Sequence, residues 1–208
     1  MPEALSGEVL ATRVAFLELR EERRLVQEGY ELLDEKRMLL AGEIMRQLRE
    51  YEALQAGMLA TAERARAALE AAIRVHGLDE LRVEPRCSLD QSLLRRDTRS
   101  FLGTLLVDAE LELEDEPPRA PAVRPTPEHR ACAKAFRVQL QAHAEMAACA
   151  GNLRRLTAEY RRTERRARAL EKVLMPEIDE SLRFIEEQLD GLDQEEALRV
   201  RMAGRGRD

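Results

Sequence analysis

The stretch NLRRLTAEYRRTERRARALEKVLMP, residues 152–176, decides the fold. Leu153, Leu156, Tyr160, Ala167, Leu170 and Leu174 recur at steps of three and four, and Thr163 fills the one gap. Residues spaced this way line one narrow stripe of a helix, the seam of a coiled coil. Arg154, Arg155, Arg161, Arg162, Arg165, Arg166 and Arg168 cover the other faces. Such a helix buries its stripe against a partner helix and shows positive charge everywhere else. It is a surface to be gripped, not a pocket that holds a ligand.

Composition agrees with this reading. Of 208 residues, 36% are charged and only 3% aromatic, with no Trp. Large aromatic side chains supply much of a globular core. Their scarcity, with Ala, Leu, Glu and Arg abundant, marks long helices and coiled coils. A net charge of −6 argues against nucleic acid as a partner, and no aromatic platform stands beside the arginines to stack bases. No signal peptide opens the chain and no apolar run could span a bilayer. The expectation is a cytoplasmic protein that meets a membrane only through other proteins.

Cys87, Cys132 and Cys149 show no metal spacing, and His76, His129 and His143 are scattered singly. There is no phosphate-binding glycine loop and no Ser/His/Asp or Cys/His set placed for catalysis. The sequence therefore predicts no catalytic residue, no cofactor and no metal, and so no enzyme.

Outward from the opening stretch, two seams emerge. The first runs through Val9, Phe16, Leu19, Val26, Tyr30, Leu33, Leu40 and Ile44, with Thr12, Arg23 and Arg37 as polar interruptions. It is expected to shift phase at Ile44 and continue through Leu48, Tyr51, Gln55, Met58, Ala62, Ala65, Leu69 and Ala72, a stutter that would unwind the supercoil locally. Gly77 suits the left-handed conformation past a helix end. Thr126, Pro127 and Glu128 form an N-cap, a first-turn proline and a first-turn acid for a second helix. Its seam runs through Cys132, Ala135, Gln139, Ala142, Met146 and Cys149 to Leu153, and on to Leu174. Beyond Pro176, which should kink the helix without ending it, the seam resumes as Ile178, Leu182, Ile185, Leu189 and Leu192.

Between the helices, Leu81–Val83 and Leu105–Leu113 read as short strands, with residues 88–99 as a loop or short helix. Five of the eight prolines fall between Pro117 and Pro127, an extended connector. The predicted fold is mainly α: a long antiparallel two-helix coiled coil with a small β-hairpin-like insert at its far end. Its parts are residues 1–77, an insert at 78–126, and 127–208 ending in a frayed tail at Gly204–Arg207. Chain connectivity sets paired positions adding to about 203, within a turn. This places Leu33 near Leu170 and Ile44 near Tyr160, on helices of roughly 100 Å.

Two blocks carry a family resemblance. One is Thr12-Arg13 followed by Gly29-Tyr30-Glu31-Leu32-Leu33-Asp34-Glu35-Lys36-Arg37. The other is Asn152-Leu153-Arg154-Arg155-Leu156, Thr163, Arg165-Arg166, Ala169-Leu170-Glu171 and Pro176, continuing to Ile185-Glu186 and Leu189. These residues resemble the D subunit of the V-type and A-type rotary ATPases. The chain departs from the family pattern at Ala11, Asp34 and Arg168, and in its ending after Leu189.

The resemblance implies a non-catalytic central-stalk subunit, or rotor shaft, whose paired termini enter the catalytic hexamer of A and B subunits. It implies that the insert lies near the small F subunit of the stalk and the subunit that docks on the membrane ring, and that rotation couples ATP chemistry to proton or sodium transport. The seven arginines then become expected contacts to acidic loops of the hexamer. Val26, Leu33, Leu40, Ile44, Leu153, Leu156, Tyr160, Leu170, Leu174, Ile185 and Leu189 are the expected seam. The alternative is a stand-alone coiled-coil scaffold or export-apparatus stalk protein with no motor role, which would need no β insert.

Overall fold

A computed structural model describes residues 11–83, 93–113 and 126–205. Val9, Cys87, the connector prolines from Pro117 to Pro125 and the last three residues lie outside that range. The elements in chain order are helix α1 (Arg13–Val83), strands β1 (Leu93–Phe101) and β2 (Thr104–Glu112), helix α2 (Pro127–Ala169), a π-helical turn (Leu170–Leu174) and helix α3 (Met175–Arg205). They divide into two compact units: a terminal unit of Met1–Met38 with Arg161–Asp208, and a central unit of Leu39–Tyr160.

Both long helices start on threonine caps, which satisfy backbone donors a first turn otherwise leaves open. Thr12 Oγ1 accepts from Ala15 N–H at 3.1 Å, and Thr126 Oγ1 accepts from His129 N–H at 3.2 Å. Thr12, read as a gap in the seam, is thus the cap of α1.

In the terminal unit the two segments run antiparallel. Arg13 pairs with Asp193 at 3.1 Å, Arg23 pairs with Asp179, and Leu170 reaches Gly29. All three pairs lie within a turn of the expected register, and Gly29 is one turn from the expected Leu33. Thr163, Ala167, Ile178 and Ile185 are buried, with Phe16, Leu19, Val26, Tyr30, Leu33, Leu174, Leu182 and Leu189 half-buried around them. The seam stops at Leu189. Leu192, expected to continue it, is exposed, as is every residue from Asp190 to Met202.

Pro176 is accommodated by the π turn. Proline has no N–H, and its ring crowds the carbonyl four residues back. Within the preceding turn, Met175 N–H bonds Leu170 O, five residues back. A turn closed this way holds one residue more than an α turn. It relieves the ring and also absorbs the three successive four-residue steps Leu170, Leu174, Ile178 and Leu182. The helix therefore passes the proline without ending.

In the central unit the core is Leu40, Leu106 and Leu156, with Ile44, Phe101 and Tyr160 packed against it. The helices again run antiparallel: Cys149 Sγ lies 3.6 Å from both Gln47 oxygens, Thr61 bonds Gln139, and His76 Nε2 meets Thr126 Oγ1 at 2.6 Å. The pair at Gln47 sits about two turns from the expected register, and the register is regained at His76.

Three local expectations change. The seam does not stutter at Ile44: Leu48 and Gln55 are exposed, whereas Gln47 is buried and Leu54 half-buried. The steps of three and four simply continue from Leu40 through Ile44, Gln47, Tyr51, Leu54 and Met58. Gly77 does break the helix, with φ of 74°, but Leu81–Val83 are helical rather than a strand. The strand that pairs with β2 is instead β1, where a loop or short helix was expected.

The hairpin closes on Leu102 and Gly103, with φ of 49° and 84°. Positive φ at both positions is the two-residue turn whose twist matches the flanking strands. The pairing runs from Phe101↔Thr104 at the turn to Leu93↔Glu112 at the open end. The insert leaves the far end of the helix pair and folds back along it, so that Phe101 and Leu106 join the core with Leu40 and Leu156.

Candidate functional site

Asn152 holds the hairpin to α2. Its Oδ1 accepts Val107 N–H at 2.8 Å, and its Nδ2 donates to Val107 O at 3.0 Å. The side-chain amide thus takes the place of a third strand on β2. Asn152 is only 1% exposed, where an unpaired amide would be costly. Farther along β2, Gln141 Nε2 donates to Leu111 O at 3.2 Å, and just past its end Arg137 Nη2 donates to Leu113 O at 3.1 Å.

A second tie joins β1 to α1. Arg99 Nη2 lies 3.0 Å from Glu43 Oε1, and Arg46 holds the same carboxylate at 2.6 Å. The Arg46 guanidinium holds the Glu43 carboxyl below its usual range; burial pushes the other way, and Arg99 adds to the lowering.

Each residue singled out from the sequence has a place. Arg154 and Arg155 belong to the central unit, and Arg161, Arg162, Arg165, Arg166 and Arg168 to the terminal unit. All seven are exposed. Arg155 bonds Asn152 Oδ1 at 2.7 Å, and Arg168 pairs with Glu164 at 2.6 Å. Among the described residues, Arg154, Arg161, Arg162, Arg165 and Arg166 have no ion-pair partner. Some other helix arginines are matched by acids one turn away, as in Arg24 with Glu21 and Arg66 with Glu63, while Arg20, Arg49, Arg74 and Arg183, scattered along the helices, likewise have no ion-pair partner among the described residues. On the seam, Leu40, Leu156 and Ile185 are fully buried; Val26, Leu33, Ile44, Leu153, Tyr160, Leu170, Leu174 and Leu189 are half-buried.

The terminal part of α1 also carries apolar residues that face away from the seam. Val14, Leu17, Leu25, Leu32 and Met38 are all more than half exposed. Leu25 and Leu32 lie one heptad apart and form a second, exposed stripe, with no described residue burying it.

Gln47 and Glu43 escape a reading of the sequence alone, and Asn152 is legible there only as part of the second family block, not as a seam residue. The signal is present: Asn152 lies three residues after Cys149, and Gln47 three after Ile44, both in step with the seam. Being polar, they give way to the next leucine in any search for apolar spacing.

The chemistry open to the site is that of contact. Among the described residues no three His, Cys, Asp or Glu side chains are grouped to hold a metal. Burial pushes the Cys132 and Cys149 thiols up, so neither is a thiolate nucleophile at neutral pH. A shallow cleft of about 230 Å³ beside the hairpin is lined by Glu50, Asp108 and Glu145; those carboxylates disfavour phosphate. No helix among the described residues is long and apolar enough to cross a membrane.

These features define a class: an antiparallel helical hairpin with a β-ribbon clamped to one part and an arginine-rich, leucine-striped surface on the other. The chain belongs to the family of ATP synthase D subunits, whose profile it matches over residues 15–205. It is 26% identical to the V-type ATP synthase D subunit of Thermotoga neapolitana, over 93% of this chain and 95% of that one. It is 27% identical to the A-type ATP synthase D subunit of Archaeoglobus fulgidus, covering 94% and 95%. The V-type ATP synthase D subunit of Thermus thermophilus is also 27% identical, covering 94% and 87%.

Proposed function

We propose that this chain is the non-catalytic central-stalk subunit of a V/A-type rotary ATPase or ATP synthase. In this reading the terminal unit enters the A/B hexamer. The central unit meets the F subunit of the stalk and the subunit that docks on the membrane ring. The chain is cytoplasmic and peripheral, held at the membrane through the complex. Turning as a shaft, it couples nucleotide chemistry in the hexamer to proton or sodium transport.

The observation that carries the reading is the surface of the terminal unit. Arg161, Arg162, Arg165 and Arg166 are exposed and unpaired among the described residues, and α1 of the same unit shows Leu17, Leu25 and Leu32 to the outside. Charge without an internal partner and leucine without internal cover together suit a surface enclosed by other subunits. A domain divided as helix, insert and helix (1–77, 78–126, 127–208) suits the same role, because both ends of the chain then share one end of the shaft.

The test is binding to purified A/B hexamer. Reversing charge at Arg161, Arg162, Arg165 and Arg166 together should weaken binding and flatten its salt dependence. The chain alone should show no ATPase activity. Unchanged affinity with unchanged salt dependence would remove the arginine contact. Failure of the unaltered chain to bind the hexamer would favour the free-scaffold alternative.

A further inference from the structure

The two edges of the β-hairpin are treated differently. Because the turn holds two residues, Phe101 and Thr104 form a pair that exchanges backbone hydrogen bonds, and the pattern alternates from there. The pairs Arg99↔Leu106, Asp97↔Asp108 and Arg95↔Glu110 therefore bond inward. The N–H and C=O groups of the intervening residues point away from the hairpin. On β2 these are Leu105, Val107, Ala109 and Leu111. On β1 they are Leu94, Arg96, Thr98 and Ser100.

On β2 side chains of α2 occupy that outward row: Asn152 takes both groups of Val107, and Gln141 takes the carbonyl of Leu111. On β1 no described residue does so, and every residue from Leu93 to Ser100 is exposed. A long exposed edge is a ready template for another strand, and proteins commonly cover it or break it with proline or a bulge. Here β1 is nine residues long with neither, and the charges it carries are its one such device. The edge also carries a charge pattern: Arg95, Arg96 and Arg99 against the single acid Asp97. Arg95 and Arg99 are tied to Glu112 and Glu43, yet remain 60% and 43% exposed.

We propose that β1 is a docking edge for an extended acidic segment of a partner protein, which adds as a third strand outside β1. The backbone row of Leu94, Arg96, Thr98 and Ser100 supplies main-chain hydrogen bonds. Carboxylates alternating along the incoming strand meet Arg96, which has no ion-pair partner among the described residues, whereas Arg95 and Arg99 on the other face are already tied to Glu112 and Glu43. This is independent of where the terminal unit binds, so the two ideas stand or fall separately.

The test uses the full chain and two capped eight-residue peptides, one alternating valine with glutamate and one alternating valine with lysine. Titration calorimetry at low salt should show binding of the glutamate peptide only. Amide exchange should slow at Arg96 and Thr98 but not newly at Asp97, whose N–H is already bonded to β2. Thr98→Pro removes one outward donor and leaves the hairpin ladder intact; it should weaken binding about tenfold or more, whereas Thr98→Val, which keeps the N–H, should not. Arg96→Glu should weaken it by about as much through charge, and serves if the proline variant does not fold. No binding of the glutamate peptide, equal binding of the lysine peptide, or binding insensitive to both Thr98→Pro and Arg96→Glu would overturn the proposal. In that case the arginines would serve as guards of an edge that nothing joins.

Discussion

Replacing Asn152 with leucine should release the β-hairpin from α2. The amide makes both backbone bonds to Val107, at 2.8 and 3.0 Å. A leucine of similar size fills the space but bonds neither group. Val107 N–H and C=O would then lack partners on a half-buried strand. Each such loss costs about 1–3 kcal/mol when the group stays dry, and less when water reaches it. Two groups at a half-buried site give about 2–4 kcal/mol. Arg155, which bonds the same oxygen at 2.7 Å, is exposed and adds little. Urea unfolding of the full chain would measure the loss, and amide exchange at Val107 would locate it. Asn152→Asp supplies the sign: its carboxylate still accepts from Val107 N–H but opposes Val107 O, so it should destabilise at neutral pH. Once protonated in acid it can donate again, and part of the loss should return relative to the unaltered chain. A cost below about 0.5 kcal/mol for Asn152→Leu, the range of a neutral surface change, with Val107 exchange unaltered, would refute the clamp.

Three further outcomes are expected. Gly42→Ala, which meets open space, and Gly29→Ala, whose new methyl would sit 3.7 Å from Leu170 Cδ1, should each stabilise the isolated chain by about 1 kcal/mol in thermal melts. Leu102→Asn, at a turn position with φ of 49°, should stabilise the hairpin by up to about 1 kcal/mol, read from slower exchange in β1 and β2, because asparagine tolerates the left-handed region better. Glu43 has a lowered folded pKa, so its contribution is present above the unfolded carboxylate value and is lost as pH falls through the folded one. Glu43→Gln should therefore destabilise at pH 7 and flatten the acid side of the stability profile in urea titrations; an unchanged profile would contradict the pairing with Arg46 and Arg99.

Much of this protein is written in local spacing. The seam leucines, the Thr126 cap and the passage of helix through Pro176 depend on residues within a few turns of one another, so periodicity and turn chemistry suffice to find them. The arginine face is visible for the same reason: once the seam is assigned, the remaining positions of a helix point outward. Strand β2 announces itself by alternation. Strand β1, LLRRDTRSF, has no alternation and is exposed along almost its whole length; its conformation comes from pairing with β2 across a two-residue turn. Leu81–Val83 have strand-like residues, but three positions carry too little pattern to outweigh a helix resuming beyond Gly77.

The tertiary structure decided the rest through burial of polar groups. Gln47 and Asn152 stand on the seam although a search for apolar letters steps to Leu48 and Leu153 instead. Whether a buried amide is tolerated depends on what meets it. For Asn152 that partner is the backbone of Val107, 45 residues away in sequence. Sequence alone determined which helices must pair. Only the folded chain could determine that the insert turns back to satisfy an amide in the seam, because a hydrogen bond between distant segments leaves no periodic trace.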